Sequence, residues 1–412
     1  MVSKAHARET VMASVSPADW RSVARRLLVL TLLVFAVTAR VEVVSFALHK
    51  FGSGAPVPPT TYLPRFTEIA AAEGRAYRDF PVEYPPVSLG AIELVGGTNA
   101  NETGVRLVWF MVFCDLVTAA ALAFGWGRRT AVFYLVLTVP LLGFLYTTID
   151  LLSATLAVGA VALVVRGRER LGGVAFAAAV LAKVWPLALW PIMVLERKRR
   201  GLTWSAAALM IGTFLWLWWG GASGPLQVAT QRHTPGWEYE SAIGSILWAL
   251  GHGFVSVNDS ARLGVAPGWA KALLLGAAVI GIGAVWYRAA RREPREIGLP
   301  AVAALSILML SAPVLSYPFV IWLAPWAAIA WMERTGYIRW LLAVLMLASG
   351  LLVVGGHSTL TGVALSLVKT ILLLRNALLA VVPVVYLLER GNVTADQTGV
   401  DTRLKIRPSV SS

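Results

Sequence analysis

The chain has 412 residues, of which 57% are hydrophobic and 14% are charged, and its mean hydropathy is +0.69. Soluble domains are about 45–50% apolar and about 25% charged, so this composition excludes an ordinary soluble enzyme. Apolar runs of about 20 residues, the length that crosses the hydrocarbon core of a bilayer, recur along the whole sequence. The sequence therefore predicts an all-α polytopic membrane protein.

The basic residues outnumber the acidic ones, which gives a net charge of +14. A soluble protein with this charge would suggest nucleic acid as a partner. In a membrane protein the excess belongs to cytoplasmic loops, so no nucleic-acid partner is expected. Cys114 is alone in an apolar run, which excludes a disulfide framework and a cysteine zinc site. No His, Asp and Glu cluster has the spacing of a metal site, and neither a metal nor a cofactor is expected.

The first apolar run, residues 27–48, is too long for the core of a signal peptide and is interpreted as a retained span. Residues 1–26 are predicted to be cytoplasmic, 27–389 to form the transmembrane domain, and 390–412 to be a disordered cytoplasmic tail. About ten spans are predicted: 27–48, 105–126, 130–148, 149–165, 203–221, 268–287, 299–312, 318–332, 338–356 and 364–388.

Residues 171–195 do not read as a simple span, because Pro186 and Pro191 interrupt them and Lys183 lies at their centre. Arginine-rich stretches flank this segment on both sides, and both favour the cytoplasm. We therefore predict a broken hairpin that enters the membrane and returns. Residues 243–256 are also difficult to assign to a span.

This topology places both termini in the cytoplasm and two long loops, 49–104 and 222–267, on the outer side of the membrane. The alanine-, arginine- and valine-rich composition is typical of a high-GC bacterium, so the membrane is expected to be a bacterial plasma membrane.

The first outer loop gathers the most reactive side chains of the sequence. Asp79 and Glu83 lie four residues apart, and prolines hold this stretch in turns or extended backbone. A carboxylate of this kind can accept a proton from an attacking hydroxyl, and arginine binds phosphate with two hydrogen bonds. The pattern predicts Asp79 and Glu83 as catalytic and Arg75, Arg78 and Tyr84 as substrate-binding residues. A solvated surface loop with ion pairs is the alternative.

The second outer loop carries Arg232, His233, Glu238 and Glu240 in a turn-rich stretch. Because both loops are predicted on one side, Arg232, His233 and Glu240 are further candidates for substrate binding. His233 is either a donor to a phosphate or an ordinary loop histidine.

Charged residues inside membrane segments are costly and are usually paired or functional. Asp150, near the outer end of its predicted span, and Arg375 are two such residues. Asp115 is central in its span and is interpreted as a structural partner of Lys183 or Arg375. Lys183 is a candidate for contact with a lipid phosphate.

Four stretches resemble the GT-C glycosyltransferases, and specifically glycosyltransferase family 87, which uses polyprenyl-phosphate sugars. The first, Gly74–Pro86, is similar to the family pattern G-x-x-Y-R-D-F-x-x-E-Y-P-P. Weaker similarities follow in order at 168–187 (a basic loop and then K-x-x-P), at 240–245 and at 315–325. The resemblance covers roughly residues 60–330.

The resemblance implies a GT-C-like fold and an inverting transferase that moves a sugar, mannose being favoured, from a polyprenyl-phosphate donor to a lipid or glycan acceptor. The chain differs from the family at Pro58–Tyr62, where family members often carry an early aspartate. This leaves Asp79 or Glu83 as the base, with Glu42 and Glu68 as other candidates. A flippase or transporter of lipid-linked sugars, and an inactive scaffold of envelope synthesis, are the competing functions.

Overall fold

The computed structural model describes residues 17–57, 61–195, 198–230, 236–253, 255–257, 260–292, 295–355 and 362–389. Helices account for nearly all of the regular structure within these ranges. Five of them are long and apolar enough to cross a membrane: α1 (Pro17–Gly52), α4 (Ala100–Trp126), α10 (Arg199–Gly220), α13 (Gly268–Arg291) and α17 (Gly362–Leu388). The chain is therefore a helical protein with several apolar helices of membrane-spanning length.

The remaining apolar helices are short or broken. Pro140 interrupts the predicted span 130–148. The chain bends by 45° between α5 (Arg128–Leu137) and the segment Val139–Leu145. That segment consists of the 3-10 helix η1 (Val139–Leu141) and α6 (Leu142–Leu145). The other short elements are α7 (Asp150–Val165), α8 (Glu169–Ala182), α9 (Pro191–Leu195), α14 (Gly298–Ser311), α15 (Ala324–Glu333) and α16 (Tyr337–Gly355). Five of the ten predicted spans thus coincide with long helices, and the others with these shorter or bent elements.

The segment predicted as a broken hairpin turns back on itself. Helix α8 ends at Ala182, just before Lys183, and the 3-10 helix η2 (Trp185–Leu189) and α9 follow. The Nζ of Lys198 lies 3.8 Å from a carboxylate oxygen of Glu169, so the end of the segment returns to its beginning. The Nε1 of Trp190 also donates to Ser205 near the start of α10. The two basic flanks therefore lie at the same end of the molecule, as their charge predicts.

The region between α1 and α4 contains α2 (Tyr62–Ala71) and α3 (Pro86–Val95), which pack on each other and on α4. Pro86 occupies the first turn of α3, where its missing N–H costs nothing. The region between α10 and α13 contains α11 (Ser223–Thr230), α12 (Ala242–Ala249) and a small antiparallel sheet of β1 (Trp237–Glu238), β2 (Val255–Val257) and β3 (Ser260–Leu263) in the order β1-β3-β2. This sheet is a small exception to the all-α expectation.

Asp115 has a different partner from those predicted. It pairs with Arg40 of α1, whose Nε lies 2.8 Å from Oδ2, and it accepts hydrogen bonds from the hydroxyls of Tyr134 and Tyr146. All four side chains lie inside the helical bundle. Lys183 and Arg375 pair elsewhere, so the expectation that one of them meets Asp115 is wrong. The partner of a buried carboxylate depends on which helices pack together, and here α1 packs against α4.

Replacing Asp115 by asparagine is expected to destabilise the protein by about 3–5 kcal/mol, because Arg40 would stay buried without a counter-charge. Glu102→Gln is the matched control on the same helix, because its partner Arg106 is exposed and such pairs contribute about 0–1 kcal/mol. Thermal unfolding of the purified protein should show a melting temperature lower by roughly 3–6 °C for Asp115→Asn alone. Equal shifts in both variants would contradict this interpretation.

Candidate functional site

The short helices end well inside the molecule, and their ends carry polar side chains. Helix α7 has 16 residues and α8 has 14, so each is about 21–24 Å long and falls short of a 30 Å hydrocarbon core. Asp150 begins α7, and Lys183 follows the last residue of α8. Irregular backbone at such a depth is tolerated where it is covered by protein or lines a cavity. This break between helices is therefore the first place to look for a site.

Lys183 and Asp150 form an ion pair at this break. The Nζ of Lys183 donates to Oδ1 of Asp150, which also accepts a hydrogen bond of 3.0 Å from Nε1 of Trp322. The Lys183 side chain is 21% exposed, whereas that of Asp150 is 7% exposed. The Lys183 side chain is thus held in place by a buried carboxylate and remains partly exposed.

Aromatic rings surround the Lys183 ammonium on the protein side. Its Nζ lies 4.4 Å from the ring centroid of Phe319 and 4.7 Å from that of Trp322. Trp185 stacks on Trp322 with centroids 5.2 Å apart, and its Nε1 donates to Ser153. Phe319 and Trp322 belong to the 3-10 helix η3 (Tyr317–Trp322), and Trp185 contacts this helix by stacking on Trp322. Cation–π contacts of this kind stabilise an ammonium group that is partly removed from water.

The returning limb of the hairpin, residues 184–195, is partly open to the outside. It packs against α10 on one side and against α13 on the other, where Nε1 of Trp286 donates to the carbonyl of Ala188. The side chains of Val184, Leu187 and Val194 on this limb are exposed. Exposed apolar side chains therefore occur along the limb that begins next to Lys183.

The predicted catalytic residues of the first loop lie in a tight turn. We call residues 74–86 the motif loop. Asp79 is exposed, and its Oδ2 accepts a hydrogen bond of 2.6 Å from the backbone N–H of Arg75. Glu83 is half-buried, and both of its oxygens accept from Arg65, at 3.3 and 3.0 Å. In the described ranges the hydrogen bonds of Asp79 use only Oδ2, which leaves Oδ1 for a substrate.

Tyr77 holds the motif loop in a conformation that few residues adopt. Its φ is +70°, the left-handed region, and it has the only such φ of a non-glycine residue within the part of the chain that is described. Its hydroxyl donates to the carbonyl of Tyr84, and its own carbonyl accepts from Ser223 and Gln227 of α11. Such a conformation persists only where several contacts fix it, and it is often found at functional sites.

The motif loop lies nearer the C-terminal end of α10 than Lys183 does. Leu181, two residues before Lys183, packs on Gly212 without space for a Cβ, and Tyr77 packs in the same way on Gly220. Eight residues of helix separate these glycines, which corresponds to about 12 Å. In addition, the hydroxyl of Ser88 in α3, just after the loop, donates to the carbonyl of Ala182 at 2.7 Å. The loop and the start of α3 thus extend from the C-terminal end of α10 to the helix break.

The other substrate-binding candidates of the first loop have fixed surroundings. Arg78 is exposed and its Nη2 donates to the carbonyl of Trp218, whereas the Arg75 side chain is exposed beside Asp79. The Tyr84 ring is buried against Phe66. Only the two arginines could therefore reach a ligand directly.

Glu240, predicted from the second loop, is buried beside a fully buried arginine. Its Oε2 lies 3.9 Å from Nη1 of Arg375, and its carbonyl accepts from Arg375 and Asn376. Glu238 accepts from the hydroxyl of Ser316 at 3.2 Å. The remaining candidates from this loop, Arg232 and His233, lie outside the residues that the structure describes.

Burial raises the pKa of Glu240 to about 8, because desolvation disfavours its charged form; the nearby carboxylate of Glu238 adds to this, and Arg375 opposes it. A carboxyl that binds its proton more tightly when folded makes the native state less stable as pH rises from about 4.5 to about 8. We therefore expect the melting temperature of the wild type to fall by a few degrees across this range. Glu240→Gln should remove most of this slope, and an unchanged slope would contradict the assignment.

The 3-10 helix η3 links the second loop to the helix break. Ser316, next to the first residue of η3, contacts Glu238, while Phe319 and Trp322 contact Lys183. A 3-10 helix of six residues is about 12 Å long. The second loop and the helix break therefore contact the two ends of one short element, and Ser88 of α3, which follows the motif loop, contacts the break separately.

The other proposed bases are less well placed. Glu68 is exposed and pairs with Arg65 at 3.4 Å, next to the Glu83 contact. Glu42 is exposed on α1, ten residues before the end of that helix. Within the described ranges, no group of three His, Cys, Asp or Glu side chains could hold a metal ion.

Several residues of this arrangement were not singled out as site residues from the sequence. Asp150 was noted only as an intramembrane charge, and Ser316 and Trp322 only as part of the resembling stretch 315–325. Ser153 and Asn376 were not noted. Each is one polar side chain in an apolar segment, and this is the signal that points to them, although it does not identify their partners.

No protein-family model matches the chain, and no curated protein matches it.

Proposed function

We propose that the protein is an inverting glycosyltransferase of the GT-C type, similar to glycosyltransferase family 87, with about ten transmembrane helices in addition to the broken hairpin. It transfers a sugar, with mannose as the favoured candidate, from a polyprenyl-phosphate donor to a lipid or glycan acceptor. Its membrane is a bacterial plasma membrane, with both termini in the cytoplasm and the motif loop on the outer side. The resemblance of residues 74–86 and the placement of Lys183 support this proposal.

The observation that carries the proposal is a partly exposed lysine at the start of a segment with three exposed apolar side chains. A polyprenyl phosphate combines a long apolar chain with a charged group. Its chain would lie along Val184, Leu187 and Val194, and its phosphate would replace part of the Asp150 contact at Lys183. The positive charge offsets the negative charge that develops on the leaving phosphate.

The motif loop would then act on the sugar. The acceptor hydroxyl attacks the anomeric carbon as the bond from that carbon to the phosphate oxygen breaks, and the electron pair leaves with the polyprenyl phosphate. Asp79 accepts the hydroxyl proton, for which Oδ1 is available. Attack on the face opposite the leaving group inverts the anomeric configuration, as in inverting hydrolases. Arg75 and Arg78 lie where they could orient the phosphate or the acceptor.

The roles of the remaining acids follow from their contacts. Glu83 is fully engaged by Arg65 and would hold the motif loop in place instead of accepting a proton. Glu240 and Arg375 would shape the acceptor side of the site from below η3. Neither role requires a metal ion or a cofactor.

Purified full-length protein in lipid nanodiscs, incubated with radiolabelled polyprenyl-phosphate mannose and total membrane lipids, tests the proposal. The expected result is a labelled product whose anomeric configuration is opposite to that of the donor. Polyprenyl-phosphate donors carrying glucose, galactose and arabinose identify the sugar. Absence of a labelled product with all four donors from folded protein would reject the transferase.

A further inference from the structure

A strongly basic pocket lies at the opposite end of the molecule from the motif loop. It has a volume of about 410 Å³ and is formed by the turn between α7 and α8 and by the start of α10: Gly167, Arg168, Glu169, Arg170, Leu171 and Arg200. Small-molecule sites generally enclose about 300–1,000 Å³, so the pocket is large enough for a lipid headgroup.

The positive charge of the pocket is only partly balanced by its acid. Glu169 is shared with Lys198, whose Nζ lies 3.8 Å away, and with the backbone N–H of Gly201. Arg170 and Arg200 are exposed and make no ion pair with any carboxylate in the ranges that the structure describes. Three guanidinium groups therefore surround a pocket whose acid already has other partners.

The pocket adjoins a surface that suits lipid chains. Leu171, which lines it, is 61% exposed, and Trp204 is 44% exposed. The Cζ of Arg170 lies 5.8 Å from the ring centroid of Trp204. Tryptophan is enriched at membrane interfaces, and arginine beside it can reach the phosphate level of the bilayer. Positively charged and apolar side chains are therefore adjacent at one edge of the pocket.

We propose that this pocket binds the headgroup of an anionic glycerophospholipid, with phosphate against the arginines and acyl chains over Leu171 and Trp204. Basic pockets between membrane helices bind such headgroups in general. The pocket lies at the end where the hairpin begins and returns, since Glu169 contacts Lys198 and Gly201. A bound lipid would therefore hold the base of the hairpin together. The inference does not depend on the proposed transferase activity.

Binding of phosphatidylglycerol and of phosphatidylcholine to detergent-purified full-length protein, measured by native mass spectrometry, tests this proposal. Arg170→Gln/Arg200→Gln is expected to weaken phosphatidylglycerol binding about 25-fold, from roughly fivefold for each basic residue. Binding of phosphatidylcholine should stay unchanged. Arg170→Lys/Arg200→Lys should retain most of the affinity.

Arg128→Gln/Arg129→Gln is the matched control, because both residues are exposed at the start of α5 and the same charge is removed. Its affinity for phosphatidylglycerol should stay within about twofold of the wild type. Equal losses in the two glutamine double variants would overturn the proposal, since the effect would then be one of general charge. Glycerol 3-phosphate binding as tightly as the whole lipid would also overturn it, because acyl chains would contribute nothing.

Discussion

Replacing Lys183 by methionine is expected to reduce the rate of sugar transfer by about 10²–10³-fold. Methionine fills a similar volume but removes the charge that offsets the leaving phosphate. The single variant also leaves Asp150 buried without its cation, so loss of activity alone would not separate substrate binding from stability.

The double variant Lys183→Met/Asp150→Asn separates these two explanations. It removes both charges and leaves an amide that can still accept from Trp322. If Lys183 acts on the phosphate, the double variant should fold as well as the wild type and remain inactive. If Lys183 only neutralises Asp150, the double variant should recover activity. Melting temperatures measured beside the transfer rates complete this test.

Replacing Asp79 by asparagine is expected to lower kcat by about 10²–10⁴-fold, the usual contribution of a general base, with little change in KM. The asparagine oxygen can still accept the backbone hydrogen bond from Arg75, so the turn should be kept. Glu83→Gln should have a smaller effect, because this side chain positions the loop through Arg65.

Glu68→Gln is the matched control for Asp79→Asn. It removes an exposed acid from the same outer region, and that acid contacts the same arginine as Glu83. Near-normal kinetics are expected for Glu68→Gln. Full activity in both Asp79→Asn and Glu83→Gln would show that the motif loop does not supply the base. Loss of activity in Glu68→Gln would instead indicate that Glu68 is the base.

Composition and charge were sufficient to predict the membrane class and the positions of the long helices. The flanking arginines also predicted the return of the hairpin, because two basic stretches favour one side of a membrane and Lys198 does meet Glu169. Hydropathy could not separate full spans from shorter helices such as α7 and α14, since both are almost wholly apolar. Their buried ends are set by tertiary packing.

The pairing of buried charges shows a similar limit. Sequence marked Asp115, Asp150, Lys183 and Arg375 as costly intramembrane charges, but it assigned Asp115 to the wrong cation. Arg40 is 75 positions away from Asp115, and the partner of Arg375 comes from the second outer region. Such pairs depend on how distant helices cross, which no local pattern encodes. The contact of Ser88 with Ala182 is of the same kind.

The proposed mechanism requires a prenyl phosphate along the returning limb of the hairpin, with its phosphate at Lys183. Photocross-linking with a diazirine-bearing polyprenyl phosphate, followed by peptide mapping, tests this placement. We expect labelling within residues 184–195 and on the facing sides of α10 and α13, reduced by competing polyprenyl phosphate and by Lys183→Met/Asp150→Asn. Labelling confined to other helices, or unaffected by that variant, would contradict it.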